Sequence, residues 1–335
     1  MRPTILFICI ALFLFSCEKD GLTYKEFAPI NFDVSKRILE GEKIACVDFD
    51  PDGNAWIGAG SNLLFYDGNR TKKYEVDSEI RDLSVGLNGK IWIATKDRGL
   101  ALFSDGKFSY YTMQNSDLPR NYIIAVEAAP DGSVWFSSSA HQLGGLMHFD
   151  GKKFDLFTPE NSPLNKNLII NLKVDHNGTV FCATSGTVTE TKVFMIDKYK
   201  NITPLGGDAS FYWISALDVN SKSETVIATD HSLSSCMGCY TNDLAIYRNG
   251  KWNKIETEFE LDFFNRMFVD KRDFIWVQGS IKGDYQSYFV YDGHKWHRSK
   301  KDQLPDAFIY SVKVDPHNSI WFCTDDGIYI LNQQS

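Results

Sequence analysis

Residues 44–74, IACVDFDPDGNAWIGAGSNLLFYDGNRTKKY, decide the fold, because variants of this stretch return six more times in the chain. Aligned on the central slot, the copies hold Trp56, Trp92, Trp135, Phe181, Val226, Trp276 and Trp321, at spacings of 36, 43, 46, 45, 50 and 45 residues. Twelve positions before that slot stand Ile44, Ile80, Ile123, Ile169, Ile214, Phe264 and Ile309. Apolar residues follow three and then two positions further on, as Val47 and Phe49 in the first copy and Val312 and Val314 in the last. The alternation marks a strand. Four short strands in a period of about 45 residues make a propeller blade.

Turn chemistry fills in the unit. Between the first two strands come sequences such as Asp50-Pro51-Asp52-Gly53. Between the last two come Asp67-Gly68, Asp105-Gly106, Asp150-Gly151, Asn249-Gly250 and Asp292-Gly293. These pairs supply the positive φ angles of two-residue hairpins. With the strands of each copy named a to d from the axis outward, the last copy stops after strand c, at Ile328 to Leu331. The segment from Tyr24 to Phe32 is expected to supply the missing outer strand, leaving no open seam. The fold class is therefore all-β: a seven-bladed β-propeller of four-stranded antiparallel blades, closed by an N-terminal strand. Gly58, Ala94, Ser137, Ala183, Ala228 and Cys323 share a slot two residues after the central one, which suggests close approach of neighbouring blades. Gln278 breaks that rule in blade six.

Residues 80–100, IRDLSVGLNGKIWIATKDRGL, closely resemble the two-component regulator propeller repeat. So do the linkers Ser116-Asp117-Leu118-Pro119 and Gln303-Leu304-Pro305. The resemblance covers residues 44–331 and is poorest in blades four and five. It implies a propeller of the kind found in periplasmic sensor regions that respond to oligosaccharides. The 335 residues hold no kinase or response-regulator segment, so the signalling role is not carried over.

Residues 1–16 join a basic start at Arg2 to an apolar run ending in Leu14-Phe15-Ser16, and read as a secretory signal. Cys17 then resembles the lipidated first residue of bacterial lipoproteins, an ordinary signal peptide being the alternative. Glu18-Lys19-Asp20 resembles the surface-export signal of Bacteroidetes lipoproteins. The expected organisation is a signal over 1–16, a lipidated cysteine and linker over 17–23, and one propeller over 24–335, on an outer-membrane lipoprotein at either side of that membrane. Losing Arg2 with the signal leaves 34 basic against 43 acidic side chains. With no basic block, nucleic-acid binding is excluded and the membrane is reached through the anchor alone.

The a-to-b and c-to-d turns of a propeller lie on one face, and here they are short. The d-to-a and b-to-c loops lie on the other. They are long and variable, and variable loops on a rigid face are the usual carriers of function. That face carries Tyr122, Tyr212, Trp213, Phe263, Asn265, Arg266, Phe308 and Tyr310, with His141 and His231 in its loops. Aromatic faces beside amide and guanidinium donors suit a sugar ring or a protein hot spot; the same side chains would also serve as core plugging the mouth. An oligosaccharide or an envelope protein is the expected partner. In the lumen, Asp48, Ser84, Glu127, Lys173, Asp218, Phe268 and Lys313 are expected to form a structural network of mixed charge.

Cys46, Cys182 and Cys323 fall in strand slots as small buried residues. Cys236 and Cys239 are expected to staple the longest loop as a disulfide. One CxxC, even with His231 nearby, is weak support for zinc, so no metal or cofactor is assigned. No nucleophile elbow, zincin helix or phosphate loop occurs, and the expected function is non-catalytic. The enzyme alternative is a lyase or hydrolase with a distant similarity to streptogramin lyases, whose catalytic His and Glu have no matching motif here. A further alternative is a structural or assembly component of an envelope complex.

Overall fold

The computed structural model describes residues 29–138, 144–185, 191–207, 209, 211, 213–229, 243–259, 263–281, 284–300, 303 and 307–333, with backbone alone for 263–265, 280–281 and 284–286. Over these residues the chain forms seven four-stranded antiparallel sheets, each a consecutive blade. Their a-strands are Cys46–Phe49, Ile80–Val85, Ile123–Ala128, Ile169–Val174, Ile214–Val219, Phe263–Val269 and Ile309–Val314. The a-strands of blades one to six lie side by side in order around the axis, with the seventh beside the first, and Arg266 of the sixth bonds Ile309 O of the seventh. The core is a set of seven apolar layers, each between two successive blades. The isoleucine that opens most a-strands is buried in every case, and each such side chain contributes about 1.5–3 kcal/mol by leaving water.

The first apolar step along strand a is three residues, not two, and the structure shows why. In blades two to seven a β-bulge follows the opening residue: Ile80 pairs with Thr95, whereas Asp82 pairs with Ala94. The extra residue flips the side-chain parity, so Ile80 and Leu83 both reach the core. It also leaves one residue of the strand without a register partner in each of these blades, among them Arg81, Asn265 and Tyr310.

Closure occurs as expected, but through a later segment. Strand Lys36–Ile38 pairs with Gly327–Leu331 as the outer strand of blade seven. The expected segment lay at Tyr24 to Phe32, of which 24–28 fall outside the described residues. Phe32 is core instead, edge-on to Trp276 at 5.5 Å. The outer strand of a blade is half in water, so the polar Lys36-Arg37 suits it better than an apolar run would. Arg37 pairs with Asp326 and lies 4.8 Å from the Tyr329 ring.

The hairpins also differ in detail. Asp105-Gly106 and Asn249-Gly250 have positive φ at both residues, as the two-residue turn requires. At Asp67, Asp150 and Asp292 only the following glycine has positive φ. There the aspartate stands before the turn and accepts two backbone N–H bonds, as Asp67 does from Asn69 and Arg70 at 2.9 and 2.7 Å.

At the close-approach slot, a Cβ on Gly58 would sit 2.7 Å from Cγ2 of Ile80 in the next blade and 2.7 Å from the Cys46 sulfur. Cys46, Cys182 and Cys323 are buried and free. Burial pushes the Cys182 and Cys323 thiols up to about 12, which makes them inert packing groups.

Candidate functional site

At the turn face, hydrogen-bonding capacity is consumed locally. Asp315 accepts from the backbone of His317 and Ser319 at 2.9 and 2.7 Å, and from the Trp321 indole at 3.1 Å. Asp270 does the same with Arg272, Phe274 and the Trp276 indole, and Asp50 with Asp52, Asn54 and the Trp56 indole. The tryptophan in the central slot and the aspartate six residues earlier are thus one clamp.

Midway along the a-strands, side chains bridge one blade to the next. Asp48 accepts from Val85 N at 2.8 Å, Ser84 from Ala128 N at 2.9 Å, and Asp218 from Val269 N at 2.8 Å. Asp82 accepts from Val126 N at 3.0 Å. Lys313 meets Asp48 at 3.1 Å, and Lys173 meets Glu127 at 3.4 Å. Burial, reinforced by Glu127, pushes Asp82 up to about 7. Burial alone would lower the Lys313 ammonium, but Asp48 and then Glu127 outweigh it and hold the group well above its ordinary value. The expected mixed-charge network is present, and it ties inner strands together.

The loop face differs. Trp213 is 40% exposed and Phe308 59% exposed, so neither is plugging the mouth as core. Phe308 donates its N–H to Asp325 at 2.9 Å and stands edge-on to Tyr310 at 4.9 Å. Tyr310, half-buried, carries the Lys43 ammonium 4.8 Å from its ring, and Tyr122 carries the Arg81 guanidinium at 5.8 Å. Glu79 links this cluster: Lys96 binds it at 2.8 Å and Arg81 at 3.6 Å, and the Lys96 bond holds its carboxyl below the usual range. Arg266 donates to Ile309 O at 3.2 Å, between Phe308 and Tyr310 in sequence. Blades seven, one, two and three therefore present a connected rim of aromatic rings, each of the two tyrosines flanked by a cation.

Phe263 and Asn265 are placed only as backbone of strand a in blade six. Tyr212, His141, His231, Cys17, Cys236 and Cys239 lie outside the described residues. Phe211, beside Trp213 in sequence, packs edge-on to Trp252 at 5.2 Å.

Two of the long d-to-a loops have fixed internal bonding. In the first, Asn115 accepts from Thr112 N at 2.7 Å and donates to Tyr110 O at 2.9 Å, while Ser116 bonds Thr112 O. Thr158, Asn161 and Ser162 repeat that pattern, and Leu118 and Leu164 are buried after it. The signal was legible as a repeated Thr-x-x-Asn-Ser, which variable flanking residues obscured. Sequence reasoning also missed the rim cations Lys43, Arg81 and Lys96, whose significance needs the bulge and the ring closure.

No family model and no curated protein sequence matches the chain. Among solved structures it is similar to the extracellular domain of the one-component system BT4673 of B. thetaiotaomicron. There the TM-score is 0.64 at 16% identity, over 92% of this chain and 40% of that one. Similarity also extends to a virginiamycin B lyase from Staphylococcus aureus bound to quinupristin, at TM-score 0.67 and 11% identity over 92% and 99%. A third is PorZ, a surface component of the type-IX secretion system of Porphyromonas gingivalis, at 0.66 and 15% over 92% and 48%. The chain thus spans about two fifths of the length of the first of these. At such identities the likeness is one of fold.

Proposed function

We propose that this propeller is a non-catalytic binding module of the cell envelope whose loop face takes an oligosaccharide. The observation that carries the reading is the exposure of Phe308 and Trp213 on the same rim as Tyr310 and Tyr122. Exposed aromatic faces stack on the apolar face of a sugar ring, and the neighbouring ammonium and guanidinium groups donate to its hydroxyls. The similarity to an extracellular domain of a bacterial one-component system supports an extracytoplasmic location, and attachment through a lipid on Cys17 belongs to the same proposal. Titration of the full chain in detergent with an oligosaccharide panel tests it. A hit weakened at least tenfold by Phe308→Ala and by Trp213→Ala, with unchanged melting temperature, is expected; silence across the panel rejects sugar recognition.

A second reading, a lyase, is favoured by the near-complete mutual coverage with the Staphylococcus aureus enzyme. Among the described residues all five histidines, 148, 176, 294, 297 and 317, lie at or near the turn face rather than on the loop face. Metal-dependent turnover of a streptogramin, abolished by His141→Ala or His231→Ala, would establish the lyase and overturn the non-catalytic reading.

A further inference from the structure

One row of residues crosses each blade at the close-approach slot, running from strand a through b to c. In blades one to five and seven it reads Cys46–Gly58–Leu63, Asp82–Ala94–Leu100, Ala125–Ser137–Leu146, Asn171–Ala183–Val193, Ala216–Ala228–Leu244 and Ser311–Cys323–Ile328. The centre is always small and the outer member always aliphatic. In blade six the row is Arg266–Gln278–Tyr288. A large amide replaces the small centre and a tyrosine the aliphatic outer member, beside an arginine on strand a, and the exception seen in sequence at Gln278 is the middle of that row.

Among the described residues these groups are only partly consumed by the protein. Tyr288 is 1% exposed in the layer between blades six and seven, sits edge-on to Phe322 at 5.1 Å, and its hydroxyl has no hydrogen-bond partner among the described residues. Gln278 is 9% exposed, and its amide makes no hydrogen bond among the described residues. Arg266 gives one bond to Ile309 O and meets no carboxylate among the described residues. A half-buried guanidinium without a counter-charge, next to a buried hydroxyl without a partner, is a costly arrangement unless something supplies acceptors. Burial lowers the Arg266 pKa and raises that of Tyr288, while the two act on one another electrostatically.

We infer that the blade-six row is a carboxylate subsite, which deepens the sugar-binding reading above and rests on it: the ligand is a uronate-bearing oligosaccharide. The planar guanidinium matches the two oxygens of a carboxylate. The Gln278 amide and the Tyr288 hydroxyl add neutral donors for the remaining lone pairs. One cation with two neutral donors fits a singly charged group better than a phosphate. Arg266 holds the carbonyl of Ile309, so the sugar ring that carries the carboxylate falls beside Phe308 and Tyr310, whose rings are at the rim. On the neighbouring rim Lys43 and Arg81 stand beside the Tyr310 and Tyr122 rings, Arg81 shares Glu79 with Lys96, and the carboxylate next to Phe308, Asp325, is held by the Phe308 N–H.

The test is titration of the full chain in detergent with oligogalacturonate, glucuronate-containing oligosaccharides and alginate fragments, each beside the same sugar with its carboxylates reduced to alcohols. A peptide ending in glutamate forms a further arm. At least one acidic sugar is expected to bind tenfold or more tightly than its reduced form, with affinity falling as salt rises. Tyr288→Phe is expected to keep the melting temperature and weaken the acidic sugar about fivefold, leaving the reduced sugar unaffected. Arg266→Lys, which keeps the charge and loses the fork, is expected to erase the preference. Equal binding of acidic and reduced sugars would overturn the carboxylate subsite and leave the sugar-binding reading standing. Binding of the peptide alone, or of none of these sugars, would overturn the carboxylate subsite, and silence across the wider oligosaccharide panel as well would overturn both. An acidic preference that survives Tyr288→Phe and Arg266→Lys would show that the row is structural.

Discussion

The two ends of the same inner strands spend their polar groups in opposite ways. At the turn end Asp50, Asp270 and Asp315 each close a turn and hold an indole N–H, so the carboxylates are used up by their own blade. At the loop end Trp213 and Phe308 stand in solvent, and on the row that Asp82 occupies in blade two, Arg266, Gln278 and Tyr288 of blade six hold unspent capacity among the described residues. Where satisfaction is complete the residues serve stability, and where it is incomplete they are available to a ligand. That division can be broken or sharpened by substitution at each level of the propeller.

The largest effect is expected at the turn end. Asp315→Ala removes acceptors from two backbone N–H groups and from the Trp321 indole, which is only 8% exposed. Leaving buried donors unmet costs about 1–3 kcal/mol each, and the losses are not additive, so about 3–4 kcal/mol is expected in chemical denaturation. A loss below about 1 kcal/mol would mean that the clamp is ornamental and the comparison of the two ends fails.

Halfway along the strands, Asp82 should make stability pH-dependent. Its carboxyl titrates at about 7 in the fold and at about 3.9 when unfolded. The folded state therefore binds the proton more tightly. Its contribution is fully present below about pH 4, declines as pH rises toward 7, and is lost above that. The carboxylate is half-buried rather than enclosed, and screening moderates the effect to about 1–2 kcal/mol. Asp82→Asn should remove this slope between pH 4 and 7 in denaturation measured across that range. An unchanged slope would assign it to another group.

Blade four supplies a gain-of-function version of the turn-end rule. Asp175 closes its turn through Asn177 and Thr179, but the central slot holds Phe181 and the second carboxylate oxygen has no partner among the described residues. Phe181→Trp should restore the clamp and raise stability by about 1 kcal/mol. A loss instead would show that the layer between blades four and five has no room for the indole.

Much of this was readable in advance, and the limits have physical causes. The period, the opening isoleucines and the central tryptophans fix seven blades, because core positions repeat wherever packing repeats. The three-residue step from Ile80 to Leu83 already encoded the bulge, yet a step of three in a strand has no meaning until the pairing is known. The closing strand was misplaced because Lys36-Arg37-Ile38 carries no apolar alternation; its position is set by pairing with Gly327–Leu331, nearly the whole chain away. Of the candidate site, the aromatics Tyr122, Trp213 and Phe308 were legible from their recurrence just before an a-strand, and Tyr310 from its place beside Phe308. The meaning of Arg266 with Gln278 and Tyr288 was not, because it lies in a cross-strand row whose members are 10 or more residues apart.

The smallest stability effect is expected at the mouth, where the comparison is sharpest. Phe308 is 59% exposed, and its ring contacts Tyr310 edge-on, an interaction of about 0.5–1.5 kcal/mol when well packed and less in solvent. Its backbone N–H bond to Asp325 survives truncation. Phe308→Ala should therefore cost less than about 0.5 kcal/mol in the same denaturation assay that loses several for Asp315→Ala. A phenylalanine that contributes so little to folding while standing in water fits the proposed binding face. A cost of 2 kcal/mol or more would instead make Phe308 part of the architecture, and the mouth would then obey the same rule as the turn end.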